Sequence, residues 1–500
     1  MGKKKSVVLM ILLTIVIVVL TALTVLPAFP IPGTVKKWNP AVLQYDFGMD
    51  LGGGYYAYYY PEGVISETEY KSTLGRLTDG EEKSEYVDSY VAHGGLYLSK
   101  DEDLNIVGND GAVTSAFDEE FNILLNVVKN RYEKKGYAEY RVTVEDDYAI
   151  RIEVPKSDQN VGSTFSLFSY TGELSLQSGG EVVEVLKTKD ADVSDLIKGF
   201  TVGTQYKVAY VKVKFTQEGK ALLKDLKDGL STSQSASSST DSSTVKSLDV
   251  MVGDNKVLQI FQDHIADDYT VKVPVAYEEN KDYAETVGVL LNSALEETTG
   301  EISFKSIATS EIRTFDPVLG KNTRTLLFIA LALVIAASIG LAIWKMGRYG
   351  IVCGYTTLSY LIVTGICFAF ISGGVFEANL GTALVFLVGL VLTNALSAYA
   401  YNAIKAEFEV GKTIESSVKG GYKKTVWGVV DIYAVLLLGA LALLIGGAGL
   451  YTVALQAIIC IVTGAFCNLL WGRAINYVFL SASKDKYKYF RFVREDDDDE

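Results

Sequence analysis

Six apolar runs set the terms for this chain: one at residues 7–26 and five at 325–344, 351–371, 381–401, 426–445 and 451–471. Each reaches the roughly 20 residues that a helix needs to cross a bilayer. A backbone in hydrocarbon must satisfy its own hydrogen bonds, so each run is expected as a spanning helix. No such run interrupts residues 29–323. The chain therefore divides into a cytosolic N-terminus with a first anchor (1–28), an extracytoplasmic domain (29–323), a five-helix membrane domain (324–475) and a cytosolic acidic tail (476–500).

Charge gives the expected orientation. Lys3-Lys4-Lys5 precede the first run and hold its start in the cytosol. The loops then alternate. Lys345 and Arg348, then Lys405, Lys412, Lys419, Lys423 and Lys424, then Arg473, Lys484, Lys486 and Lys488 fall on the side that should be cytosolic. The loops at 372–380 and 446–450 contain no Lys or Arg. A multi-pass protein of the cell membrane is expected, with both termini inside and the large domain outside. A secretory signal would have a shorter apolar core and a small-residue cleavage site, and Leu26-Pro27-Ala28-Phe29-Pro30 is a poor one.

A 49% hydrophobic content sits beside 21% charged residues, which fits a chain divided between lipid and water. The formal net charge of -14 argues against a nucleic-acid partner, and the run Asp496-Asp497-Asp498-Asp499-Glu500 reads as solvated. Cys353, Cys367, Cys460 and Cys467 all lie in apolar segments, so no disulfide framework or thiolate metal site is encoded in the polar region. His93 and His264 are far apart and read as ordinary histidines.

Within 29–323, Phe121, Leu124, Leu125, Val128 and Tyr132 recur at helical spacing, and Lys134-Lys135-Gly136 closes the helix. Alternation at Tyr140–Val144 and Ile150–Val154 around Asp146-Asp147 predicts a hairpin. Helix and hairpin together suggest half of a ferredoxin-like, split β-α-β sandwich. The theme returns with a strand at 208–215, a helix at 217–227, strands near Val250 and Val257, a strand at 269–275 and a helix from Asp282 to about Leu295. A serine-rich loop at 231–244 interrupts it. The fold class is thus six transmembrane helices with a large extracytoplasmic α+β domain between the first and second.

Familiar chemistry is missing. Gly52-Gly53-Gly54 is followed by Tyr55-Tyr56, with no Lys-Ser or Lys-Thr pair to close a phosphate loop; a tight bend is the better reading. Gly411-Lys412-Thr413 copies the end of a nucleotide loop, but Ala406 stands where the first glycine belongs and a membrane helix precedes it. No catalytic residue, cofactor or metal is expected, and the chain is not expected to be an enzyme. Asp431 stands out instead: a carboxylate within a lipid-spanning helix costs roughly 2.5–3.5 kcal/mol, so it should face a partner helix or a wet path as a proton-coupling candidate, or else, about a turn inside its span, reach the cytosolic interface or cap a neighbouring helix.

The order of parts resembles the SecD subunit of the bacterial protein-export machinery. Phe47-Gly48-Met49-Asp50-Leu51-Gly52-Gly53-Gly54 looks like that family's Gly-Leu-Asp-Leu-x-Gly-Gly segment after the first span, which singles out Asp50, Leu51, Gly53 and Gly54. Asn130-Arg131 through Gly136 and Glu139 is similar to its helix-and-hairpin motif, and Val318-Leu319-Gly320-Lys321 to its approach to the second span. Gly411, Lys419-Gly420-Gly421-Tyr422 and Asp431 fall where the family has Ala-x-x-x-Gly-Phe and an Asp in the fifth span. The family's Asp-Ala-Asn stretch in the fourth span is matched by Asn394-Ala395, so the acid linked to proton-driven work is replaced by an amide that does not titrate.

The resemblance implies an auxiliary translocase subunit that acts with SecF and the SecYEG channel, linked to the proton-motive force. Its external domain would hold unfolded exported polypeptides, with Tyr55, Tyr56, Tyr58, Tyr59 and Tyr60 as adaptable surface or, more plainly, as core. Two other readings stay open: a resistance-nodulation-type exporter subunit, and an anchored scaffold that has lost coupling.

Overall fold

The computed structural model describes residues 3–25, 29–30, 37–38, 45–137, 139–156, 160–179, 181–183, 192–233, 246–277, 280–296, 307–375, 377–446 and 448–491. Most of the serine-rich loop and the acid run at 496–500 lie outside the described residues. The chain forms two compact units, one of Met1–Gly54, Pro155–Ser157 and Asp316–Glu500, the other of Tyr55–Val154 and Asp158–Phe315.

The first unit is a helical bundle, and among the described residues six helices are long and apolar enough to cross a membrane. The first five are Lys3–Val25, Thr323–Met346, Tyr349–Val375, Leu380–Glu409 and Ile414–Leu443. The sixth starts as Ala448–Phe466, widens into a π-helical turn at Cys467–Trp471 and resumes as Gly472–Ala482. Lipid tails are as apolar as leucine, so helices in a bilayer associate by close packing of small residues. Gly421 illustrates this: a Cβ there would come within 2.8 Å of the Ile404 backbone on the fourth span. The first span packs on the third and on Gly472–Ala482, where the Thr14 and Tyr355 hydroxyls meet at 2.9 Å.

Two expected boundaries move. The membrane unit claims the chain on both sides of the sheet-rich unit, which runs only from Tyr55 to Phe315 rather than over 29–323. The segment set aside as tail from residue 476 is built in as far as Arg491: the sixth helix continues to Ala482, and a further turn, Lys486–Phe490, follows. Tyr489 and Phe490 are buried, the Tyr401 hydroxyl donates to the Phe490 carbonyl at 2.8 Å, and the Tyr489 hydroxyl donates to Asn476 Oδ1 at 2.8 Å. Aromatic side chains that large stabilise by burial, which outweighs the polar look of the stretch.

In the sheet-rich unit the helix Ser115–Lys135 begins at Thr114, whose side chain accepts from the Phe117 N–H, and ends at Gly136 with φ +81°. A left-handed C-terminal residue is the reason for a glycine there. The hairpin Arg141–Glu145 with Ala149–Pro155 turns on Asp146 and Asp147, both at positive φ, the geometry that suits a tight two-stranded connection. A five-stranded sheet places Ile307–Thr309, Gly54–Pro61, Ala149–Pro155 and Arg141–Glu145 side by side, with Arg313–Phe315 also on Gly54–Pro61.

The second half splits between two sheets. Ile197–Gln205, Val208–Phe215 and Val271–Tyr277 form one, with helices Gln217–Leu226 and Lys281–Glu296. Leu248–Val252 and Asn255–Ile260 belong instead to a four-stranded sheet with Leu174–Ser178 and Glu181–Val182. One apolar core of Tyr59, Phe121, Ile152, Val211, Val250 and Leu290, among others, runs through the unit.

Candidate functional site

The sequence motifs around the spans converge in the membrane unit. After the first span the chain makes a single helical turn, Met49–Gly52, closed by Gly53 at φ +72°. Gly52 has no room for a side chain, since a Cβ would lie 2.8 Å from the Phe47 carbonyl oxygen. This turn aims Asp50 at the start of the fourth span, where its Oδ2 accepts the Leu380 N–H at 2.7 Å. The buried Leu51 anchors it, and Gly54 leads on into the first long strand.

Two more segments join the turn. Gly48 N–H donates to the Ala378 carbonyl and Ala378 N–H to the Asp46 carbonyl, a parallel bridge ahead of the fourth span. Val318 and Leu319 N–H reach the Met49 and Asp50 carbonyls at 3.4 Å, and Arg324 lies over the Phe47 ring at 5.2 Å. Gly320, at φ +101°, then turns the chain into the second span. Asp50 and the Leu319-Gly320 pair, widely separated in sequence, thus form one collar on the bundle.

Deeper in the bundle lies a polar layer. Asn394 on the fourth span accepts from the Thr357 hydroxyl of the third at 3.0 Å and donates to the Ser338 hydroxyl of the second. One amide therefore ties three helices. A turn along the same helix, the Ser397 hydroxyl donates to Asn468 Oδ1, and the Asn468 amide donates to the Tyr433 hydroxyl at 2.7 Å. Asn468 and Trp471 belong to the π-helical turn, and Trp471 donates through its indole N–H to Ser359 at 2.8 Å. Such bulges re-aim side chains and are frequent at working sites. Sequence reasoning missed Asn468, Tyr433 and Ser338, which lie on three other spans and carry no signal beyond being polar within apolar runs.

Asp431 lies elsewhere. It sits on the exposed face of the fifth-span helix, two residues from Tyr433, and among the described residues no hydrogen bond or ion pair joins it. It is not a member of the Asn394 network. The buried carboxylate of this region is Glu407, at the end of the fourth span, held by Lys412 and Lys424. Lys412 follows Gly411 in the turn between two long helices, so the nucleotide-loop likeness of Gly411-Lys412-Thr413 has no strand before it.

In the sheet-rich unit the remaining motif residues hold structure. Arg131 is fully buried; its Nε donates to the Ser293 hydroxyl at 3.1 Å and its Nη1 to the Phe168 and Tyr170 carbonyls at 2.8 and 2.7 Å. Glu139 sits half-buried in the bend after Gly136. Of the tyrosines, Tyr59 is in the core, donating to the Phe165 carbonyl at 2.6 Å, and its burial pushes the phenol far above its usual range. Tyr60 is also buried and pushed up to about 12 by desolvation, whereas Tyr56 and Tyr58 are half-exposed beneath the Arg151 guanidinium. His93 meets Asp147 at 3.1 Å, and no metal-binding group of three or more ligands occurs among the described residues.

Fold and motifs together define a multi-pass membrane protein in which a sheet-rich domain is inserted after the first of six spanning helices. Neither a family model nor a curated protein matches the sequence. Among solved structures, SecDF in its super-membrane-facing form matches over 96% of this chain with a TM-score of 0.54 at 15% identity. SecDF from Thermus thermophilus, described as a translocon-associated membrane protein, matches over 97% with a TM-score of 0.40 at 15% identity. This chain spans 58% and 60% of the length of those two chains. The fold is SecD-like, carried by a divergent sequence.

Proposed function

We propose that this protein works in export, as the SecD-type part of a Sec translocase accessory that acts with SecF and the SecYEG channel on unfolded polypeptides. The observation that carries this reading is that the likeness to SecDF takes in bundle and sheet-rich domain together, over 96% of the chain. In this reading both termini are cytosolic and the sheet-rich domain lies outside, supported by Lys3-Lys4-Lys5 and by the Lys- and Arg-free loops at 372–380 and 446–450. The protein performs no covalent chemistry of its own. Half-exposed Tyr56 and Tyr58 offer amphipathic surface to a passing chain, while Tyr59 and Tyr60 hold the sheet.

Asp431 supplies the link to a partner. An acid on the outer face of a spanning helix is too costly to leave against lipid, so that face is covered by a second bundle, and SecF fits the role. Moving one charge through the membrane potential is worth roughly 2.3 kcal/mol per 100 mV, the energy source for completing export. Asn394, neutral and tied to hydroxyls, favours a second reading in which the chain holds polypeptide without conducting protons.

Affinity capture of the detergent-solubilised protein tests the first claim: SecF and SecYEG should be recovered together, and absence of both would defeat it. Secretion in cells carrying Asp431→Asn separates the two readings. Slowed export with weaker dependence on the proton gradient supports coupling, and unchanged export leaves only the holder.

A further inference from the structure

Where the second span gives way to the third, Ile343, Arg348, Ile351, Lys488 and Arg491 line an open cavity of about 580 Å³. Among the described residues its charged wall is cationic: Arg348, Lys488 and Arg491, and no carboxylate. The Arg348 guanidinium has no ion pair or hydrogen bond among the described residues, and Lys488 reaches Asp485 only at 3.9 Å. Like charges gathered around one space repel unless an anion joins them.

The cavity is built rather than incidental. Arg491, in the left-handed region at φ +54°, donates through Nη1 to the Trp344 carbonyl at 2.7 Å, satisfying one of the orphan carbonyls at the end of the second span. Its aliphatic stem lies over Gly347, where a Cβ would come within 2.7 Å of Arg491 Cγ. A glycine at that left-handed position, φ +62°, is therefore required twice, by backbone and by neighbour.

The other walls are apolar. Ile343 and Ile351 are 40% and 37% exposed on spanning helices, so they meet acyl chains. Trp344 and Tyr487, 67% and 46% exposed beside them, are the residue types that collect at the level of lipid headgroups. A phosphate alone would use the cations and leave the isoleucines idle. We propose that this cavity holds an anionic phospholipid, its phosphate between Arg348, Lys488 and Arg491 and its acyl chain along Ile343 and Ile351. Basic pockets between spanning helices are suited to such headgroups.

Native mass spectrometry of the full chain in detergent, titrated with phosphatidylglycerol, phosphatidylcholine or inorganic phosphate, tests this. Wild type should retain phosphatidylglycerol in preference to phosphatidylcholine. Arg348→Gln with Lys488→Gln, both at exposed positions, should cut that preference about 5-fold for each cation removed. Lys419→Gln with Lys423→Gln, the same loss of charge elsewhere, should leave it intact. Equal retention of the two lipids, an equal loss in the control pair, or displacement of the lipid by inorganic phosphate at matched concentration would each overturn the proposal.

Discussion

Asp50 Oδ2 accepts the backbone N–H of Leu380 at 2.7 Å, across 330 positions of sequence. Leu380 is the first residue of the fourth-span helix, and Asn379 caps the same end by accepting from Thr382 N–H at 2.9 Å. The first four N–H groups of a helix lack partners within it, and the helix dipole favours negative charge there. A carboxylate delivered by a one-turn helix after the first span meets both needs. The likeness of residues 47–54 to a family motif thus has a local physical cause: the two glycines fold the turn, and the acid docks it on the bundle.

Asp50→Ala should cost about 1 kcal/mol, the usual value of a lost N-terminal cap, and Asp50→Asn, which keeps an acceptor, clearly less. Thermal unfolding in detergent measures both. Equal losses in the two variants would mean that charge, not the hydrogen bond to Leu380, carries the effect.

Arg131 is fully buried in the sheet-rich unit, bonded to Ser293 and to the Phe168 and Tyr170 carbonyls. Arg131→Met removes the charge but takes the guanidinium from the Phe168 and Tyr170 carbonyls, and a buried acceptor left unsatisfied costs roughly 1–3 kcal/mol. The variant should lose about 3 kcal/mol or more, and Arg131→Lys, with fewer donors, a smaller share. Denaturant titration followed by tyrosine fluorescence reads the difference. A loss below 1 kcal/mol in Arg131→Met would show that water replaces the guanidinium.

The spans, the Ser115–Lys135 helix and its hairpin were legible because each is set by local pattern: twenty apolar residues, a 3.6-residue period, two aspartates at a turn. What escaped depends on residues far apart in sequence. Ile197–Gln205 pairs with Val208–Phe215 but includes Gly199 and Gly203, which blur its alternation. The strand pair around Val250 and Val257 is expected in the same α+β unit as Val208–Phe215, yet it joins Leu174–Ser178, a choice made by packing. Asp431 was legible as an acid within a span, but which face it takes depends on how helix five sits on helix four. Asn394 drew notice only as a substitution; its partners Ser338 and Thr357 carry no sequence signal beyond being small and polar.

His264 offers a pH test in the sheet-rich unit. Its burial holds the imidazole below its ordinary value of 6.5, with Asp263 opposing, and its Nδ1 accepts the Phe261 N–H at 3.3 Å. A histidine whose folded state prefers the neutral form contributes stability that is fully present above 6.5 and is lost as pH falls from there through its lower folded-state value. Melting temperature should therefore drop more between mildly alkaline and mildly acidic buffer in wild type than in His264→Gln. Parallel curves for the two proteins would refute this.

The knot at Asn394 yields the last prediction. Its amide satisfies Ser338 and Thr357 on two neighbouring helices, so Asn394→Leu loses both contacts while filling similar space. Interhelical hydrogen bonds in bilayers average about 0.6 kcal/mol and reach about 1.7, because the separated helices find other partners. Asn394→Leu should thus cost about 1–2 kcal/mol in total. A double-mutant cycle with Ser338→Ala should return a coupling near the average, and one with Thr357→Val a similar value. Steric trapping or unfolding in mixed micelles supplies the measurement. Zero coupling to both hydroxyls would mean that the helices are held by packing alone and that the amide merely occupies space, whereas coupling to both would establish Asn394 as the joint that keeps the second, third and fourth spans in register.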